Sequence, residues 1–138
     1  MTAVHTGGCL CGAVRFSATG RLRGVIYCHC SQCRRQSGHF YAATSVPDAS
    51  LTVDGSDDVT WFRSSEQARR GFCRICGSAL FWKHDERAET SLLAGAFDAS
   101  EGLAGEAHIF VADKGGYYTI DDGLPRHEKS SSVEVAER

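Results

Sequence analysis

Hydrophobic and polar residues alternate over short stretches of this chain, with the period of β-strands. Residues 13–18 read Ala-Val-Arg-Phe-Ser-Ala, and a glycine follows shortly afterwards. Because successive side chains of a strand point to opposite faces, this alternation predicts a half-buried strand. Similar short stretches, bounded by Gly, Pro, Asp or polar residues, predict further strands at 24–27, 40–46, 51–53, 59–63, 79–82, 90–94 and 107–111.

Two of these predicted strands flank a strong turn signal. The dipeptide Asp54-Gly55 lies between 51–53 and 59–63, and Asp-Gly pairs adopt the backbone angles that tight turns require. The sequence therefore predicts that these two strands form a hairpin. Several short strands at regular spacing indicate a mainly β protein, either an all-β sandwich or a pair of antiparallel sheets.

One short helix and a tail complete the predicted organisation. Residues 31–37 contain neither glycine nor proline, so they predict a helix with Ser31 near its N-cap. A length of 138 residues fits one domain, which we expect to cover residues 1–128. Residues 129–138 are rich in charge and serine, which predicts a mobile C-terminal tail.

The charge pattern argues against nucleic-acid and membrane partners. The net charge is −2 with acids and bases interspersed, so the basic stripe of a nucleic-acid-binding protein is missing. The pair Arg69-Arg70 is expected on the solvated surface. No apolar stretch is long enough to span a bilayer. An odd number of cysteines and the lack of a secretory signal predict a cytoplasmic location, and the oligomeric state stays open.

The seven cysteines carry the strongest chemical signal, because they fall into three tight clusters. Cysteines this close in sequence cannot easily form disulfides with one another and favour metal ligation. A closed zinc site takes four ligands, so two pairs can complete one site and a triplet keeps a vacant position. All-thiolate ligands favour zinc over magnesium or calcium. Two zinc ions per chain are expected, on the clusters Cys9/Cys11, Cys28/Cys30/Cys33 and Cys73/Cys76.

Glycines decide which clusters belong together. Gly12 and Gly77 each follow the second cysteine of a pair, and glycine permits the tight turns and close amide approach of a metal-binding knuckle. The triplet lacks such a glycine and leads into the predicted helix. We therefore predict one structural zinc site, the four-cysteine cluster, and a second zinc site, the triplet. The four-cysteine cluster consists of Cys9, Cys11, Cys73 and Cys76, and the triplet of Cys28, Cys30 and Cys33.

The triplet leaves several readings open. A fourth ligand could close it, and the candidates are His29, His39, His84 or an acidic residue. His39 is a better candidate than His29, since His29 lies between two ligands and adjacent side chains diverge. The three thiols could also carry no metal. If the site is open, three anionic ligands weaken the Lewis acidity of the metal and favour sulfur chemistry over hydrolysis. The natural substrate is then a small thiol that attacks an aldehyde carbon, with Gln32 and Arg34 as candidate substrate contacts.

Three segments resemble a known family. Residues 8–14, 28–34 and 72–78 read GCLCGAV, CHCSQCR and FCRICGS, and in this order they resemble the glutathione-dependent formaldehyde-activating enzymes, a family that also includes centromere protein V. The resemblance implies a β-tent fold of antiparallel sheets, a structural zinc on the four-cysteine cluster and a catalytic zinc on the triplet.

The same resemblance implies an activity. The family's named reaction condenses formaldehyde with glutathione to S-(hydroxymethyl)glutathione, which is carbon-sulfur lyase chemistry run in reverse and serves detoxification. The expected function is thus a zinc-dependent lyase acting on a glutathione-like thiol and an aldehyde or their adduct. The alternative is a non-catalytic zinc-binding structural or interaction domain.

Overall fold

The computed structural model describes residues 2–130, which form ten strands, one α-helix and short 3-10 turns. The predicted tail at 129–138 lies outside the described residues except for its first two positions. The elements are β1 (Val4–Gly8), β2 (Arg15–Thr19), β3 (Val25–Cys28), α1 (Ser31–Ser37), β4 (Tyr41–Pro47), β5 (Leu51–Asp54), β6 (Val59–Arg63), β7 (Ala68–Cys73), β8 (Ala79–His84), β9 (Glu89–Leu93) and β10 (Gly105–Ile109).

The strands form two sheets. The smaller sheet has the order β1-β2-β5, and the larger has the order β10-β3-β4-β9-β8-β7-β6. Every pair is antiparallel except β3 with β10, which is parallel. The prediction of a mainly β fold with one helix after the middle cysteines is therefore confirmed. In the described part of the chain, no helix is long and apolar enough to cross a bilayer.

Two apolar cores position the cysteines. The first lies between the sheets, where Phe16 packs edge-on against Phe81 with ring centroids 6.1 Å apart. The second lies on the larger sheet beneath α1 and includes Tyr41, Trp82 and Ile109. The four-cysteine cluster lies at the edge of the first core, and the triplet lies in the second.

All eight predicted strands are present with small shifts of their bounds, but two further strands, β1 and β7, were not predicted. β1 carries two glycines, and β7 carries two adjacent arginines, so neither shows the apolar alternation that marks a strand. The predicted helix is also present. Its N-cap is Cys30, one residue before Ser31, and the Cys30 sulfur accepts a hydrogen bond from the amide of Cys33.

The predicted hairpin of 51–53 with 59–63 is wrong. Both strands exist, but β5 pairs with β2 in the smaller sheet and β6 pairs with β7 in the larger one. Gly55 does adopt a positive φ of 79°, and a 3-10 turn over Ser56–Asp58 follows it. The turn residues therefore redirect the chain as expected, while the longer connection carries it from one sheet to the other.

Candidate functional site

The four-cysteine cluster lies where two turns from different sheets meet. Cys9 and Cys11 lie in the connection between β1 and β2, Cys73 ends β7, and Cys76 lies in the turn before β8. All four sulfur atoms lie within 4.8 Å of one another. The Cys9 and Cys11 sulfurs are 3.6 Å apart, and those of Cys11 and Cys73 are 3.8 Å apart. Tetrahedral zinc with bonds of about 2.3 Å separates its sulfurs by roughly 3.8 Å, so this donor set fits zinc.

Backbone amides point at these sulfurs, as a metal-binding knuckle requires. The amide of Val14 donates to the Cys9 sulfur at 3.3 Å, and the amide of Cys76 donates to the Cys73 sulfur at 3.5 Å. The glycines that follow the two pairs have φ angles of +84° and +80°, which glycine adopts without the strain other residues incur. These turns present N–H dipoles that stabilise negative charge on sulfur.

Ser78 adds a further polar contact to this cluster. Its hydroxyl lies 3.2 Å from the Cys76 sulfur. Hydrogen bonding by the side chain and the backbone amide of Ser78 lowers the pKa of the Cys76 thiol to about 5. A thiolate is the form that binds a metal, so these hydrogen bonds favour Cys76 as a ligand.

The triplet lies where β3 passes into α1. Cys28 ends the strand, Cys30 caps the helix and Cys33 lies in its first turn, with their sulfurs within 4.8 Å of one another. Across residues 2–130, no other Cys, His, Asp or Glu donor joins this group. Hydrogen bonding to Cys28 lowers the pKa of the Cys33 thiol, but Cys30 and burial outweigh it, and the net shift is upward.

His29 and His39, two of the candidate fourth ligands, have their hydrogen-bond partners elsewhere. The Nδ1 atom of His39 lies 2.6 Å from the hydroxyl of Tyr117 on the protein surface. His29 is buried, and its ring points away from the triplet into a hydrogen-bonded chain with Tyr118 and His108. The structure therefore brings together the three cysteines without either histidine.

A cleft of about 330 Å³ opens beside the triplet. Cys30 is half-buried and faces it, whereas Cys28 and Cys33 are buried. Gln32 also lines the cleft and donates from Nε2 to the carbonyl of Ser64 at 3.1 Å. Arg34 is half-buried and does not belong to the cleft lining. The other principal walls are Arg70, Trp82, Phe110 and Asp113.

The prediction that Arg70 lies on the solvated surface is wrong. Although it was expected on the surface, its side chain is only 2% exposed. Both terminal nitrogens donate to the Cys33 sulfur, at 3.5 and 3.6 Å, and the guanidinium lies over the ring of Tyr41. The strand period gives the missed signal, because within β7 Arg70 lies on the same buried face as Ala68.

A second missed feature is a chain of hydrogen bonds behind the triplet. His29 Nδ1 lies 2.5 Å from the Tyr118 hydroxyl, and His29 Nε2 lies 2.8 Å from His108 Nδ1. His108 Nε2 lies 2.8 Å from a carboxylate oxygen of Asp122. Because a carboxylate only accepts, His108 donates from Nε2 to Asp122, and the chain continues through His29 to the hydroxyl of Tyr118.

Burial keeps the inner ring of this chain uncharged. Desolvation, reinforced by the neighbouring His108 ring and by the Lys114 ammonium, lowers the pKa of His29 to about 4. At neutral pH the ring therefore has one donor and one acceptor, which the chain satisfies. The chain fixes the orientation of the residue between Cys28 and Cys30, and hence supports the segment that carries both thiols.

Known proteins resemble this chain in sequence and in fold. The sequence profile of the glutathione-dependent formaldehyde-activating enzymes matches residues 4–113. A protein of Schizosaccharomyces pombe named as an uncharacterized lyase is 27% identical over 111 residues, which cover 80% of each chain. A crystal structure of a Rhodobacter sphaeroides protein shares the fold with a TM-score of 0.57 at 23% identity, covering 88% of this chain and 98% of that one. The chain belongs to the family of glutathione-dependent formaldehyde-activating enzymes.

Proposed function

We propose that this protein is a zinc-dependent carbon-sulfur lyase that joins a glutathione-like thiol to an aldehyde, or releases the two from their adduct. The observation that carries the proposal is the triplet of thiols beside a cleft, with no fourth ligand contributed by residues 2–130. Membership of the family and the lyase name of the yeast relative support the reaction class.

The two cysteine groups take different parts in this proposal. The four-cysteine cluster holds a structural zinc that links the sheets, and the triplet holds the catalytic one. Zinc at the triplet would supply a cation that favours the thiolate form of a substrate thiol. In the synthetic direction the substrate sulfur bonds to the carbonyl carbon, the C=O π electrons move to oxygen, and that oxygen takes up the proton that the thiol lost.

The chain's own residues bind and orient the thiol. Cys30 is the cysteine of the triplet that faces the cleft, so the substrate sulfur approaches from that side. A volume of about 330 Å³ admits a small molecule. Gln32 lines the cleft and is positioned to contact substrate polar groups, whereas the proposed contact with Arg34 requires substrate that extends beyond the cleft.

The experiment that tests the proposal is a titration of cobalt-substituted protein with glutathione, combined with metal analysis. Cobalt bound by thiolates absorbs visible light, so a further sulfur ligand changes the spectrum. We expect two metals per chain and a spectral change with glutathione. S-methylglutathione, which has no free thiol, is the matched ligand control and should produce no change.

Cys30→Ser is the matched protein control, because it removes the cysteine at the cleft and leaves the four-cysteine cluster complete. It should bind one metal and show no response to glutathione. If the wild-type protein responds to glutathione, an assay of hydroxymethyl-adduct formation from formaldehyde should follow. One metal in the wild-type protein, or two with no response to any small thiol, would refute the proposal and favour a non-catalytic zinc domain.

A further inference from the structure

Arg70 carries a buried charge that no carboxylate of residues 2–130 balances. Its side chain is 2% exposed, and no Asp or Glu among residues 2–130 forms an ion pair with it. Asp113 lines the same cleft but does not pair with it. Its Nε atom is buried without a hydrogen-bond partner in this part of the chain. Arginine stays protonated in proteins, and an unpaired buried charge is strongly destabilising.

The group that faces the charge is the triplet. Both terminal nitrogens of Arg70 donate to the sulfur of Cys33, at 3.5 and 3.6 Å. Neutral thiols are weak acceptors and offer no counter-charge. Three thiolates on a divalent metal carry a net charge of −1, so one guanidinium makes the assembly neutral. The burial of Arg70 is therefore accounted for when the triplet holds a metal.

We infer that Arg70 is the counter-charge of the triplet metal site, a positioning residue that stabilises the three thiolates and lets the site accept a fourth, anionic sulfur. This inference rests on the proposed metal at the triplet, but not on the proposed reaction. A substrate thiolate adds one negative charge, so the complex carries −1 with Arg70 present and −2 without it. Arg70 thus supports both metal and thiolate binding.

The packing of Arg70 selects arginine over other cations. Its guanidinium lies 5.1 Å from the ring centroid of Tyr41, in a cation–π contact, while its terminal nitrogens reach Cys33. A planar fork makes both contacts at once, whereas a lysine ammonium is a point charge. Lysine at this position should therefore restore the charge without reproducing both hydrogen bonds.

The neighbouring Arg69 provides a matched control. It lies on the same strand but points to the other face, where its guanidinium stacks on Trp61 at 4.6 Å from the ring centroid. Arg69→Met removes the same charge and a similar cation–π contact, but it leaves the triplet untouched. A general effect of lost positive charge would therefore appear in both variants.

The test measures the affinity of the second metal ion by chelator competition in the folded, metal-loaded protein. Removing groups that support metal ligands lowers metal affinity by about 10–100-fold. We expect Arg70→Met and Arg70→Gln to lower the affinity of the triplet for its metal ion, the second ion, by that factor. The affinity of the four-cysteine cluster for the first ion should not change. Arg70→Lys should lose less affinity for the second ion than this range, and Arg69→Met should match wild type.

Spectra of the cobalt-substituted protein provide a measurement that would not change if Arg70 had only a structural role. Hydrogen bonds from Arg70 stabilise the sulfur electrons, so their loss should shift the sulfur-to-cobalt charge-transfer band to longer wavelength. The shift should appear in Arg70→Gln as well as Arg70→Met, and in smaller degree in Arg70→Lys. Arg69→Met should keep the wild-type band.

The outcomes separate this inference from the proposed function. A wild-type protein that binds only one metal would refute the proposed metal site, and this inference with it. Two metals in the wild type, with Arg70→Gln unchanged in affinity and spectrum, would overturn the inference alone. If the neutral variants do not fold, Arg70→Lys decides the matter, because a tenfold or greater loss of the second ion in that charge-preserving variant would overturn the role as counter-charge.

Discussion

Replacing Cys76 by serine should destabilise the fold far more than replacing Cys30. Both side chains are half-buried, so the direct cost of a serine is similar at the two positions. They differ in what their metal would connect. The four-cysteine cluster joins Cys11 to Cys73 across 62 residues and across two sheets. The triplet lies within six consecutive positions, 28–33.

The difference can be estimated from loop closure. Cross-linking a 62-residue loop stabilises the folded state by about 4 kcal/mol through the entropy removed from the unfolded chain. The same relation gives at most about 2 kcal/mol for the short loop of the triplet. At about 3–5 °C per kcal/mol for a chain of this size, Cys76→Ser should lower Tm by roughly 12–20 °C and Cys30→Ser by less than about 10 °C.

The assay is thermal unfolding followed by circular dichroism, in metal-loaded protein and after removal of metal by a chelator. We expect the two variants to differ when loaded and to converge when stripped, because the difference comes from the metal. Equal losses in the loaded state would refute the division between a structural and an open site. A gap that persists after stripping would show that the serines, rather than the metal, cause it.

Three further predictions concern the fold itself. Gly55→Ala should strongly destabilise the folded state, because φ is +79° and a Cβ would lie 2.0 Å from a backbone oxygen. Gly20→Ala, which also has a positive φ but open space around it, should lower the free energy of unfolding by only about 1–2 kcal/mol. Urea unfolding measures both variants. Phe81→Ala should lose about 3–5 kcal/mol in the same assay and Phe62→Ala, which is exposed, less than about 0.5. A hydrogen bond from Arg15 lowers the pKa of Asp98 to about 2, so the ionised Asp98 stabilises the fold above about pH 4 and this stabilisation is lost as the pH falls through 2. In Asp98→Asn, the loss of stability on acidification should be smaller by this contribution. An acid transition unchanged from wild type would contradict the prediction.

Local signals predicted the elements of this fold well, but they did not predict which elements meet. Alternation of side chains is a property of one strand, so β2, β5 and β6 could be recognised from sequence. Pairing depends on which edges the whole fold brings together. The Asp54-Gly55 turn was therefore recognised, while the hairpin inferred from it was wrong because β5 and β6 belong to different sheets.

The candidate site divides in the same way. The grouping of cysteines into four and three followed from the glycines beside the pairs, and the structure brings together those same groups. The partners from distant positions were not predicted. Arg70 lies 37 residues from Cys33, and His108 lies 79 residues from His29. Burial of such polar residues depends on tertiary contacts that complete their hydrogen bonds, which a local pattern does not contain.

The surroundings of the sulfurs explain why two cysteine clusters in one small fold would serve different ends. In the four-cysteine cluster the donors to sulfur are neutral, namely backbone amides and the hydroxyl of Ser78, and the ligand set is complete. In the triplet a full positive charge on Arg70 reaches Cys33, and a cleft opens at Cys30. Neutral dipoles suffice for a closed site, whereas only the charged surroundings can accommodate one more anion. Under the proposed function, the place where an additional thiolate binds would thus be set by a buried arginine as much as by the missing fourth cysteine.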